Sequence, residues 1–243
     1  MNAKAKADDP EQFQRDVKAV CTCYLEAPKR FAEDGVHTVS IDEMTGIQAL
    51  ERIAPTKPMK PGYVERREFE YKRHGTQTLI GNFHVATGQV ISPTLGATRT
   101  EEDFHAHLAQ TVARDPYASW IFVVDNLNIH ISESLVNYVA EACELDLDLG
   151  KKGRRGILRN VATRKAFLSD ESHRIRFVYV PKHTSWLNQI ECWFSILVRR
   201  VIKRGNFKSV EELRDKILSF INYFNRTLAK PFKWTFTGRP LNL

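Results

Sequence analysis

What this 243-residue sequence lacks excludes several familiar classes of protein. No apolar run approaches the ~20 residues that a helix needs to cross a bilayer, so no membrane span is expected. Only four cysteines occur. Cys21-Thr-Cys23 has no second Cys/His pair at zinc-ligand spacing, and Cys143 and Cys192 stand alone, which argues against a structural zinc module. Without a secretory signal, the four read as reduced thiols of a cytoplasmic protein. Neither a P-loop nor a dinucleotide fingerprint is present, so no nucleotide cofactor is expected. Acids are also in short supply, 29 against 36 lysines and arginines, for a net charge of +7.

Three of those acids occupy places where a carboxylate is costly. Trp120-Ile-Phe-Val-Val124 is a continuous apolar run, the pattern of a central strand buried on both faces, and it stops at Asp125. In Thr38-Val-Ser-Ile-Asp42, alternation puts Val39 and Ile41 on one side of a strand and Ser40 and Asp42 on the other. The third acid, Glu191, falls in a helix expected to open near Ser185 as N-cap, after Pro181. Leu187, Ile190, Phe194, Leu197, Val198, Val201 and Ile202 recur at helical spacing, and Glu191 lies on that apolar stripe. A carboxylate facing a core must be protonated, paired or bound to a metal.

Each acid alone has an ordinary explanation: a strand-end Asp as a turn residue, a helical Glu as a boundary residue paired with Arg. Two on strands and one on a helix together point to a hard-cation site. Oxygen ligands of this kind suit Mg²⁺ or Mn²⁺ rather than zinc. Two such ions can activate a water or a 3′-hydroxyl and stabilise the leaving oxygen of a phosphodiester.

The excess of positive charge is unevenly placed. Between Lys151 and Lys208 there are 15 lysines and arginines against three acids, Asp170, Glu171 and Glu191. Lys151, Lys152, Arg154 and Arg155 form one dense group, and Arg199, Arg200, Lys203 and Arg204 extend the Glu191 helix. A single such cluster is commonly just a solvated face. Bases gathered around an acidic site instead fit a polyanionic partner, because phosphate neutralisation supplies most non-specific nucleic-acid affinity.

In the order Ile-Asp42-Glu, Val-Val-Asp125-Asn-x-x-x-His and Trp-Leu-Asn-x-x-Glu191, followed by Pro231-Phe-Lys-Trp-Thr, the sequence resembles the DDE transposases of the Tc/mariner superfamily, in their bacterial insertion-sequence branch. The resemblance covers roughly residue 37 to the C-terminus. It implies an RNase H-like α/β fold, a mixed sheet with helices on both faces, with Asp42, Asp125 and Glu191 as catalytic residues and ligands of two Mg²⁺ or Mn²⁺ ions. It also implies DNA as substrate, a homodimer on DNA, and a cytoplasmic, nucleoid-associated protein. Glu43 matches the family's Asp-Glu pair, but strand alternation points it away from Asp42 and it is assigned no metal. Asn126 and Asn188 are candidates to orient the carboxylates or touch substrate; His130 and His183 are candidates to contact phosphate or order a water, with a structural hydrogen-bonding role as the alternative for both. Trp186 and Trp193 read as packing residues.

The expected elements agree with such a fold. Strands are expected near 38–42, 66–73, 77–86 and 89–95, with a turn at Thr87-Gly88, then at 120–124 and 176–180. Helices are expected at 101–114, at about 133–144, from Ser185, and from Ser209, whose Val-Glu-Glu212 continuation is a capping-box pattern. The stripe of the last helix is Leu213, Ile217, Phe220, Ile221 and Phe224. Residues 37–243 are read as one catalytic domain.

Two features depart from the resemblance. Asp125 and Glu191 are 66 residues apart, longer than is usual in the superfamily. The extra length is a basic insertion at about 145–173, expected either to touch DNA beside the site or to be an idle loop. Only 36 residues precede the catalytic region, too few for the pair of helix-turn-helix modules that read transposon ends. They are expected to form an extension, helical over Glu11–Tyr24, left from a linker to that region. The DNA reader would then come from a separate polypeptide or a frameshift product. The alternative expectation is a truncated, non-catalytic DNA-binding remnant that regulates an intact transposase.

Overall fold

The computed structural model describes residues 9–66 and 68–238. The chain opens with helix α1 (Pro10–Asp34). Asp9 caps it by accepting from the backbone N–H of Glu11 and Gln12, and Gly35 ends it in the left-handed conformation. Then follow β1 (His37–Arg52), β2 (Tyr71–His84), β3 (Gln89–Val90), β4 (Thr94–Gly96), α2 (Glu101–Val112) and β5 (Trp120–Val124). Next are α3 (Glu133–Ala142), α4 (Val161–Leu168), β6 (Ile175–Tyr179), α5 (Gln189–Leu197) and α6 (Val210–Thr227).

The strands form one mixed sheet in the order β3-β2-β1-β5-β6, with β4 pairing β2. β1 runs antiparallel to β2 but parallel to β5, which is in turn parallel to β6. All five residues of β5 are buried, as its unbroken apolar pattern requires. Val39, Ile41, Trp120 and Phe122 face a core closed by Phe104 and Leu108 of α2, Leu135 and Val139 of α3, and Phe167 and Leu168 of α4. On the opposite face, Leu79 and Phe83 pack on Trp193 of α5 and Leu213 and Ile217 of α6. There Ile121 and Val123 pack on Val20 and Tyr24 of α1. This is the doubly covered mixed sheet expected of an RNase H-like domain.

Several elements differ from the expectation. α1 runs ten residues past Tyr24, and Val17, Val20, Cys21, Tyr24 and Ala27 recur at helical spacing along its buried side. The helix of the N-terminal segment packs on the sheet through these side chains. β1 is 16 residues long and continues well past Asp42, because β2 offers it an antiparallel partner as far as Tyr71. A bulge between Met44 and Ile47, with Gly46 at φ 66°, bends the ribbon. The strand expected at 66–73 starts only at Tyr71, and Arg67 lies outside the described residues. Residues 53–66 and 68–70 form instead an arm that exposes Met59, Tyr63, Val64 and Phe69.

The strand expected at 89–95 is split into β3 and β4 around Ser92, which has a positive φ of 44°. The basic insertion is not a plain loop: it contains α4, whose Phe167 and Leu168 complete the first core. The turn at Thr87-Gly88 is present, and Gly88 is required there. A Cβ at Gly88 would lie 2.0 Å from the Lys230 backbone, where the C-terminal tail crosses. That tail then stacks Phe232 on Phe83 and sets Trp234 edge-on to Tyr24. Residues 239–243, counted in the expected domain, lie outside the described residues.

Candidate active site

Parallel pairing brings the first two acids together. Ser40 of β1 pairs with Val123 of β5, so two residues later both strands deliver a carboxylate, Asp42 and Asp125, where β5 stops. Opposite Asp42 in the antiparallel register is Gly81. A Cβ at Gly81 would meet Phe194 at 2.9 Å, so its absence lets α5 lie directly on the sheet. That close approach carries Glu191 toward the two aspartates.

Glu191 is not on the buried stripe, contrary to the sequence expectation. Ser185–Leu187 form a separate 3₁₀ turn, α5 starts at Gln189, and its buried face is Ile190, Trp193, Phe194 and Leu197. Trp193 takes the core position and Glu191 is rotated to the rim, half-exposed. It lines an open cleft of about 500 Å³ with Met44, Thr45, Phe194, Ser195, Val198 and Arg199.

Asp42 feels the charge of the other two acids. Burial, reinforced by repulsion from Glu43, Asp125 and Glu191, lifts Asp42 to a pKa of about 7, against the pull of the Glu43 backbone N–H. Asp42 also accepts from Asn188 Nδ2 at 3.0 Å. Asn188 begins α5 without capping it. Its Nδ2 donates to the Ile41 carbonyl at 2.8 Å as well, and its Oδ1 accepts from Ser40 Oγ.

Asp125 is held differently. Its Oδ1 accepts from the Leu127 backbone N–H at 2.9 Å and lies 2.8 Å from His130 Nδ1, which also donates to the Asp125 backbone carbonyl at 3.3 Å. Burial opposes its ionisation, but these two donors outweigh it and keep the carboxyl below its usual range. The other ring nitrogen of His130 donates to Glu43 Oε1 at 2.9 Å. Burial alone would discharge the His130 ring, yet the two carboxylates raise it to about 9. Arg99 Nη1 lies 3.8 Å from the second oxygen of Glu43. Neither Glu43 nor Arg99 was expected from the sequence to matter here. The only signals were the acid next to Asp42 and a histidine five residues past Asp125.

The remaining candidates divide. Asn126 does not touch the carboxylate beside it; its Nδ2 donates to the Val180 carbonyl and its Oδ1 accepts from Lys165 Nζ, both at 2.6 Å. His183 is exposed, at a positive φ of 65°, and makes no contact with the three acids. Trp186, expected to pack, is 53% exposed and meets the ring of Phe236 edge-on.

All eight basic candidates are exposed. Lys151 and Arg155 close a tight turn by a backbone bridge. Lys152 reaches Glu133, the first residue of α3, at 3.4 Å, and Arg155 pairs with Asp148. Arg199 and Arg200 lie in a π-helical continuation of α5, Val198–Ile202. Arg199 borders the Glu191 cleft.

Asp42, Asp125 and Glu191 offer oxygen donors only, which suits a hard divalent cation. The raised pKa of Asp42 marks the crowding of negative charge that such a cation would relieve. The residues therefore fit the group, although among the described residues no three His, Cys, Asp or Glu side chains are gathered at ligand spacing.

The sequence matches the DDE superfamily endonuclease family over residues 37–214, well over half of the chain. The chain belongs to that family. The matched span begins at the first residue of β1 and includes all three acids. Solved structures of Mos1 are similar to this DDE superfamily endonuclease. The Mos1 mariner paired-end complex with Mn is 12% identical at a TM-score of 0.48, covering 89% of this chain and 57% of the Mos1 chain. The Mos1 transposase catalytic domain with raltegravir and Mn is 11% identical at a TM-score of 0.45, covering 89% of this chain and 84% of that one. The chain thus spans a little over half the length of the Mos1 chain in the paired-end complex. No curated protein matches the sequence.

Proposed function

We propose that this DDE superfamily endonuclease is the catalytic domain of an insertion-sequence transposase, which cuts DNA and joins the freed end to a target. The observation that carries this reading is the meeting of Asp42 and Asp125 at the level where β5 ends, with Glu191 close enough for its charge to act on Asp42. In this reading the three carboxylates hold two Mg²⁺ or Mn²⁺ ions. When bound, such ions supply Lewis-acid activation of a water or 3′-hydroxyl and stabilise the departing phosphodiester oxygen.

The protein's own groups do the rest. Asn188 holds Asp42 from α5, and His130 holds Asp125 from the turn after β5. Asp42, with its raised pKa, would give up its proton to water on taking its place as a ligand. Arg199, on the rim of the Glu191 cleft, and the 151–155 turn at the start of α3 contact phosphates of the DNA. A homodimer on DNA fits the exposed apolar side chains of the arm between β1 and β2. End recognition is assigned to a separate helix-turn-helix polypeptide or frameshift product, and the place of action to the nucleoid. Among the described residues no helix is long and apolar enough to cross a membrane.

The test is incubation of the purified chain with supercoiled plasmid and Mn²⁺, beside Glu191→Gln. Metal-dependent nicking by the parent chain, lost in the variant, is expected; equal nicking by both overturns the assignment of Glu191. Joining of a precut 3′ end distinguishes a transposase from a nuclease without strand transfer. DNA binding with no nicking by the parent chain would assign the non-catalytic regulatory role instead.

A further inference from the structure

The sequence places a second acid directly after Asp42, and alternation along β1 sends it to the opposite face of the sheet. There Glu43 is buried, its side chain wholly inaccessible, although it carries a carboxylate. Its partner is His130, also wholly buried, at 2.9 Å through Nε2. The ring lies against Phe104, with centroids 4.3 Å apart, and the backbone carbonyl of His130 accepts from Tyr179 Oη at 2.9 Å. With an acceptor at each ring nitrogen, Glu43 on one and Asp125 on the other, the imidazole cannot turn over without breaking a bond.

We propose that Glu43 is a positioning residue for the metal-binding carboxylate Asp125, acting through His130 rather than through the metal. This inference rests on the reading of Asp42, Asp125 and Glu191 as the metal-binding acids. The chain Glu43–His130–Asp125 brings a donor to Asp125 Oδ1 from the side, and the Leu127 N–H falls on the same oxygen. Both contacts fall on Oδ1, with the ring also held by the Asp125 backbone carbonyl, and leave Oδ2 for a cation.

Outer-shell partners of metal ligands are worth about 10–100-fold in metal affinity or activity. A double-mutant cycle on Mn²⁺ affinity tests the proposal, with free Mn²⁺ read by its paramagnetic resonance signal in Glu43→Ala, His130→Ala and the double variant. Each single variant is expected to bind Mn²⁺ at least about tenfold more weakly while keeping the parent circular dichroism spectrum. The double variant is expected to be no weaker than the weaker single, because Glu43 acts only through the ring. Unchanged affinity in Glu43→Ala, or losses that multiply in the double variant, overturns the proposal.

Asp125→Asn separates this from a failure of the underlying reading. If the parent chain binds no Mn²⁺, or binds it equally after Asp125→Asn, the metal-site assignment fails. The ring can then still be read in the unmodified chain, as it can if a variant does not fold. A crystal structure of the unmodified chain is expected to show His130 Nε2 within hydrogen-bond distance of Glu43 and Nδ1 within that distance of Asp125 Oδ1; either ring nitrogen turned away from its carboxylate overturns the clamp.

Discussion

Asn188, the residue that begins α5, holds Asp42 in β1 across 146 residues of sequence through a 3.0 Å bond from Nδ2 to Oδ2. The same amide satisfies the Ile41 carbonyl and receives the Ser40 hydroxyl, while Ser40 Oγ in turn accepts from the Ile190 backbone N–H at 3.0 Å. One buried side chain therefore ties the start of the Glu191 helix to the strand that bears the first acid. Helix position and carboxylate orientation are set by one network.

Asn188→Ala is expected to lower stability by about 1–3 kcal/mol, because it leaves buried groups at Ser40 and Ile41 without partners. Metal-dependent nicking should fall by about 10–100-fold in the same variant. Urea denaturation and the plasmid assay measure the two effects. Parent-level nicking would show that Asp42 needs no such support.

Asp42 makes stability depend on pH. An acid whose folded pKa is above its unfolded value binds more protons in the folded state between the two, so stability falls as pH rises through that window. For Asp42 the window runs from 3.8 to about 7. Asp42→Asn removes this loss and is expected to stabilise the metal-free protein by about 2–4 kcal/mol above pH 7. The gain should shrink to nothing below pH 4. Thermal melts in chelator at pH 8 and pH 4 check both sign and window; a uniform gain at both values would show that Asp42 is not the group responsible.

The fold needs α1. Removing residues 1–36 would expose Val85, Ile121, Val123, Val180 and Leu187 on the face that α1 covers. The shortened protein is expected to be insoluble or to lose its cooperative unfolding transition. Val20→Asp, which sets a carboxylate in the same interface, should cost roughly 3 kcal/mol or more. A truncated chain that melts cooperatively at the parent temperature would return residues 9–36 to the status of an extension.

The two basic groups should differ in their salt response. Lys152 and Arg155 already face Glu133 and Asp148, leaving Lys151 and Arg154 as the cations of that turn without an acidic partner among the described residues. Replacing all four by Gln is expected to reduce the slope of log K against log salt by about two on duplex DNA. The same change at Arg199, Arg200, Lys203 and Arg204, none of them paired with an acid among the described residues, should reduce it by three to four. Filter binding across a salt series measures both slopes. An unchanged slope removes the group concerned from the DNA interface.

Much of this was legible in the chain itself. β5 is written in five consecutive apolar residues, a local pattern that needs no partner to be recognised. The stripe of α6 is equally plain, with Leu213, Ile217, Ile221 and Phe224 buried. Asp125 at a strand end and Asp42 on an alternating strand are visible for the same reason: period and burial are properties of a few neighbouring residues. What the sequence could not determine are the relations between distant segments. Glu191 shares a helical spacing with the core residues of α5, and only the packing of Trp193 and Phe194 on Gly81 and α6 decides which side of the helix faces inward. β1 extends to Arg52 because β2 lies beside it, not because of its own propensity. Glu43 became a partner of His130 only when parallel pairing set β1 against β5 and α2 closed the space around the ring. Local sequence sets which residues are apolar and at what period; the cost of burying a charge decides, only once the chain is folded, where each carboxylate finds its partner.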